Sequence, residues 1–315
     1  MTNAGVRHLL ADDDLGPAEQ REVLELADRV KADPWGHPVL RGPQSVAVLF
    51  DKASTRTRIS FEAGIAELGG HPMIIDTGQS QLGRGESVAD TARVYGRQVA
   101  AVVWRTFFQQ DLAEMAAHAG VPVVNALTDD YHPCQILADL QTVREHRGDP
   151  VGKIVAYLGD GANNMAGSWV LGGATAGMHV RIAAPPGFHP DAEVVVRGRA
   201  IAERTGGSIM ITEDVTEAAA GAHVVTTDTW VSMGQEAENE IRAHAFADYR
   251  VDAAVMGRAA TDAIVLHCLP AYRGKEITAD VLDGPQSVIW DEAENRRHAQ
   301  KAVLIFLLAH ARGER

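Results

Sequence analysis

Residues 45–68 read SVAVLFDKASTRTRISFEAGIAEL: an apolar run from Ser45 to Phe50, a polar turn, then Ile59, Phe61, Ile65, Ala66 and Leu68 as a helical stripe. An apolar run without polar alternation is how a strand covered on both faces reads, and strand, turn and helix in succession build an α/β protein with parallel sheets. The same signature recurs at Pro72 to Asp76, Ala100 to Trp104, Pro122 to Leu127, Lys153 to Leu158, His179 to Ala184, Ser208 to Thr212, His223 to Thr227, Ala263 to Leu269 and Ser287 to Trp290. Ten strands exceed one small sheet, so the chain is expected to divide. The first helix starts at Gly16-Pro17, carries Glu19 and Glu22 early, and stripes Val23, Leu26, Ala27 and Val30 before Pro34 ends it.

The stretch His132 to Arg147 begins with Pro133 at a first-turn position, carries Ile136, Leu137, Leu140 and Val143, and stops at Gly148, Asp149 and Pro150. A boundary there gives parts 1–148 and 149–290, with a final helix in 291–315 expected to pack back on the first part. No repeat or low-complexity segment interrupts this plan.

With 315 residues, 46% hydrophobic and 23% charged, the chain can bury a large core, which excludes a disordered or fibrous protein. A net charge of −13, from 29 Lys+Arg against 42 Asp+Glu, argues against nucleic acid or an anionic membrane as partner. No run approaches the ~18–20 apolar residues of a membrane span. Two cysteines, Cys134 and Cys268, are too few for a disulfide framework or a Cys-rich zinc site. The start lacks a signal-peptide layout, so a cytoplasmic location is expected.

The chemistry concentrates at predicted strand ends. Phe50-Asp51-Lys52-Ala53-Ser54-Thr55-Arg56-Thr57-Arg58 puts Ser54 at an N-cap, where unpaired N–H groups, hydroxyls and guanidiniums suit a phosphate dianion. An ordinary capped helix with two solvated arginines fits the same residues. No P-loop glycine pattern is present. Arg105 follows its strand directly, His132-Pro133-Cys134-Gln135 brings an imidazole and a carboxamide to a strand-to-helix junction, and His267-Cys268-Leu269-Pro270 ends an apolar strand. Ligands of open α/β sheets sit beyond such carboxyl ends. His132 with Cys134 supplies too few ligands for a metal. Leu158-Gly159-Asp160-Gly161-Ala162-Asn163-Asn164 half-resembles a dinucleotide turn, but Asn164 stands at the third glycine and the next strand lacks a terminal acid. An NAD-dependent dehydrogenase is thus the alternative of a different class.

Taken in order, Ser54-Thr55-Arg56-Thr57-Arg58, His132-Pro133-Cys134-Gln135, Asp228-Thr229-Trp230-Val231-Ser232-Met233-Gly234 and His267-Cys268-Leu269-Pro270 resemble the signatures of the aspartate/ornithine carbamoyltransferase superfamily. The last two resemble its ornithine branch. The resemblance implies two Rossmann-like domains and transfer of the carbamoyl group of carbamoyl phosphate to L-ornithine, without metal or organic cofactor. Carried over by position, Ser54, Thr55, Arg56 and Thr57 hold the phosphate. Arg105, His132, Gln135, Arg296 and the backbone of Cys268 and Leu269 also serve carbamoyl phosphate, with Arg56, Arg105, His132 and Cys268 closest to the chemistry. Asn164, Asp228, Ser232 and Met233 take ornithine. Gln81 matches a loop that reaches a neighbouring subunit's site, which implies a homotrimer with shared sites. Related enzymes for N-acetylornithine or putrescine are the alternatives within the superfamily.

Overall fold

The computed structural model describes residues 5–231 and 239–314. It divides into two compact units, residues 1–138 with 294–315, and residues 139–293. The division falls inside the helices Pro133–Arg147 and Ile289–Ala311, upstream of the Gly148-to-Pro150 stop, because each helix supplies residues to both units.

The first unit holds four parallel strands: β1 (Ser45–Phe50), β2 (His71–Asp76), β3 (Ala101–Arg105) and β4 (Val123–Leu127), in the order β2-β1-β3-β4. The chain moves outward from β1 to β2 and then returns past β1 to β3. This reversal sets the carboxyl ends of β1 and β3 side by side, with Phe50 opposite Arg105. The helix Thr55–Glu67 therefore begins next to the end of β3.

The second unit holds five parallel strands: β5 (Ile154–Leu158), β6 (His179–Ala183), β7 (Ser208–Thr212), β8 (Val224–Thr227) and β9 (Ile264–His267), in the order β7-β6-β5-β8-β9. Its reversal lies between β5 and β8. Tyr157 pairs with Thr226 and Thr227 with His267, so the segments after β5, β8 and β9 emerge together. Gly159, just past β5, has φ +127°, and a Cβ there would come within 3.4 Å of the Thr227 hydroxyl. Only glycine fits that turn.

The expected tenth strand, Ser287 to Trp290, is not one. Ser287 makes a single bridge to Val265, and the chain then turns into the helix from Ile289. A four-residue apolar run reads alike as strand or helix entrance, and here the helix prevails.

The carboxy-terminal helix returns to the first unit, as expected. Lys31 donates to Asn295 at 2.8 Å, and the fully buried Lys301 ammonium donates to Glu67 at 2.6 Å and to the Pro34 carbonyl at 2.7 Å. A Cβ at Gly64 would meet the Lys301 stem at 3.1 Å, so the two helices pack closely there. Arg297 also pairs with Glu67, at 3.2 Å, but is half-exposed, so removing Lys301 leaves the buried carboxylate with only its outer partner among the described residues. Lys301→Ala is expected to lower unfolding free energy by about 3 kcal/mol in urea titration, and Lys301→Met with Glu67→Leu to recover most of it.

Candidate active site

In the first unit Arg296 gathers the residues that the sequence had separated. One guanidinium nitrogen donates to Gln135 Oε1 at 2.6 Å and to His132 Nε2 at 3.3 Å, and the other donates to the Thr57 hydroxyl at 3.0 Å. All four side chains are buried. Ser54 caps the Thr55–Glu67 helix by accepting from the Thr57 N–H at 3.3 Å, which fixes the first turn beside this cluster. Burial, followed by the positive charges of Arg296, Arg105 and Arg56, holds the His132 imidazole well below its ordinary pKa. His132 is therefore neutral near pH 7 and accepts from Arg296 through Nε2.

Thr55 and Arg56 are exposed on the first turn, and Arg105 is half-buried at the end of β3. Gln81 is exposed in the turn before Leu82–Arg84 and takes no part in the Arg296 cluster. Cys134 is buried, donates to the Asn125 carbonyl at 3.4 Å, and has its thiol pushed up to about 12 by burial. It is a packing residue.

Sequence reading gave Asp51 no role. It accepts from Trp104 Nε1 at 3.2 Å and from the Thr77 hydroxyl, whose oxygen also lies 3.1 Å from the Phe50 carbonyl. One carboxylate thus ties the ends of β1, β2 and β3 together ahead of Ser54.

In the second unit Asp228, Cys268 and Asn163 meet where β5, β8 and β9 end. Asp228 Oδ1 accepts from the Thr229 N–H at 2.7 Å and from Cys268 Sγ at 3.2 Å, and Oδ2 accepts from the Asn163 amide at 3.4 Å. Burial pushes the Asp228 carboxyl up, against the pull of His267 and its own hydrogen bonds. Burial and the Asp228 charge push the Cys268 thiol well above its ordinary value. The thiol is a protonated donor and not a nucleophile. Alkylation of the native protein is expected to leave Cys134 unmodified and to reach Cys268 slowly at pH 7, faster as pH rises past 9, as read by mass spectrometry.

Leu269 adopts φ +59°, and its N–H donates to His267 Nδ1 at 3.0 Å. His267 Nε2 faces Glu276 at 3.3 Å, and the His267 N–H is taken by Glu292 at 2.8 Å. Donor atoms of Asp228, His267 and Cys268 lie within 4.8 Å of one another, a spacing a metal could use. Their hydrogen bonds argue otherwise, since the Cys268 thiol donates to Asp228 and both His267 ring nitrogens are engaged within the chain.

Asn164 opens the helix after β5, capped by Asn163. Ser232 and Met233 lie outside the described residues. Arg242 forms a buried pair the sequence did not announce, donating to Asp160 at 2.7 Å and also to the Trp230 carbonyl at 3.3 Å.

Residues 7–145 match the family model for the carbamoyl-P binding domain of aspartate/ornithine carbamoyltransferase, and residues 151–307 match that for its Asp/Orn binding domain. The chain belongs to the aspartate/ornithine carbamoyltransferase family. Ornithine carbamoyltransferase of Clavibacter sepedonicus is 62% identical over 302 residues, covering 96% of this chain and 98% of the relative. The structure of ornithine carbamoyltransferase from Pyrococcus furiosus superposes with TM-score 0.90 at 43% identity, over 96% of this chain and 97% of that one. An acetylornithine transcarbamylase complexed with acetylcitrulline superposes with TM-score 0.86 at 30% identity, over 96% and 99%. Membership of this carbamoyltransferase family removes the dehydrogenase alternative. Among the described residues, no helix is long and apolar enough to cross a membrane.

Proposed function

We propose that this carbamoyltransferase moves the carbamoyl group of carbamoyl phosphate to the δ-amine of L-ornithine, giving L-citrulline and phosphate. The observation that carries the choice of amine is the Asp228 carboxylate: Oδ1 is occupied by Thr229 and Cys268, while among the described residues Oδ2 meets only the long Asn163 contact and suits an α-ammonium. Acetylation of the α-amine removes that charge, and putrescine, which keeps a second ammonium, lacks the α-carboxylate. Asn164, Ser232 and the Met233 backbone complete the ornithine set in this reading.

On the carbamoyl phosphate side, Ser54, Thr55, Arg56 and Thr57 take the phosphate. Arg105 and His132 face the carbonyl oxygen, Gln135 and the Cys268 and Leu269 backbone take the carbamoyl amino group, and Arg296 holds the set. Residues 1–148 with 291–315 then form the carbamoyl phosphate domain, and 149–290 the ornithine domain. Gln81 serves a neighbouring subunit in a cytoplasmic homotrimer.

Attack by the neutral amine builds negative charge on the carbonyl oxygen while phosphate departs, and fixed donors and cations stabilise both better than a covalent nucleophile does. A protonated Cys268 thiol agrees with this direct transfer. The δ-amine of free ornithine is protonated near neutrality, since it resembles a lysine of pKa ≈ 10.4, so the rate should rise with pH as the neutral form grows. Offering carbamoyl phosphate with L-ornithine, N-acetylornithine, putrescine or L-aspartate tests the choice of amine. L-ornithine should give the highest kcat/KM, and a preference for another amine overturns it.

A further inference from the structure

Asn163 is not one of the residues that the ornithine reading assigns to substrate, yet its amide touches both sides of that site. Its Oδ1 accepts from the Ala166 N–H at 2.9 Å and so caps the helix that opens with Asn164. That bond fixes which end of the amide is oxygen, and Nδ2 must face the other way. Nδ2 donates to the Tyr157 hydroxyl at 2.8 Å and to Asp228 Oδ2 at 3.4 Å. The buried Tyr157 hydroxyl in turn donates to the Asp160 carbonyl at 3.2 Å, which leaves its oxygen to accept from Asn163 and locks the amide plane.

We propose that Asn163 is a positioning residue that joins Asp228 to the helix start carrying Asn164, so that the two meet an α-ammonium and an α-carboxylate in fixed register. The assignment rests on the ornithine reading and deepens it. Residues 163 and 228 are adjacent only because β5 lies beside β8. With Thr229 and Cys268 on Oδ1, the Asn163 contact sets the direction of Oδ2, and a carboxylate oxygen with one long donor still accepts an ammonium.

The test compares L-ornithine with 5-aminopentanoate, which keeps the reacting amine and the carboxylate but lacks the α-amine. Asn163→Ser retains a helix-capping oxygen but cannot reach Asp228. Its kcat/KM for L-ornithine should fall about tenfold, carried by KM, while that for 5-aminopentanoate stays within about threefold of wild type, the scale of one hydrogen bond to a charged group. Asn163→Thr, which also caps, is read the same way if Asn163→Ser does not fold. Equal losses on both amines, or an unchanged KM for ornithine, overturn the proposal. Citrulline formation by the wild type separates it from the ornithine reading: an inactive wild type overturns both, and an active wild type with an unchanged variant overturns this one alone.

Discussion

Arg296→Ala should lower kcat/KM for carbamoyl phosphate by about a thousandfold or more, the scale on which one buried donor aimed at developing charge is lost together with its partners' alignment. Arg296 donates to Thr57, His132 and Gln135 at once, so its removal disperses three side chains and not one. Arg296→Lys should recover little, because an ammonium is a compact donor and cannot span the fork that joins Gln135 to Thr57. Arg296 is also a principal cause of the depressed His132 pKa, so the variant's imidazole should titrate closer to its ordinary range. Loss of a buried donor to three side chains also costs stability, by about 1–3 kcal/mol, so the urea midpoint should fall as well and the kinetics are read on the folded variant. A variant with kinetics within about threefold of wild type would contradict a central role for the guanidinium.

Asp228→Asn should lower kcat/KM for L-ornithine by about a hundredfold or more, the cost of replacing a buried charged partner of an ammonium with a neutral one. KM for carbamoyl phosphate should stay near wild type. The same change has a chemical readout that needs no substrate. After burial, the Asp228 charge does most to hold the Cys268 thiol up, so its loss should bring that pKa down and speed Cys268 alkylation at pH 8. Unchanged ornithine kinetics would remove Asp228 from the site.

Much of this site lies in local sequence. The Ser54 cap, the Pro133 helix start and the glycine turn after β5 are short-range features, and each forms where its residues direct. Placement at strand ends was equally legible, since apolar runs followed by polar clusters mark them. Contacts set by strand order were not. Asn163 and Asp228 meet because β8 lies beside β5, and the resemblance assigned a role to Asn164 and none to Asn163. Its one local signal was the preference of asparagine for an N-cap. Lys301 likewise reads as a solvated helix charge until Glu67 is found opposite it. Arg242 and Asp160 form their pair across 82 positions, which no spacing rule reaches.

The proposed transfer is tested most directly by incubating the purified chain with carbamoyl phosphate and L-ornithine and measuring both products. Equimolar citrulline and phosphate, each dependent on both substrates, is the predicted result; phosphate release indifferent to ornithine, or no citrulline, would contradict it.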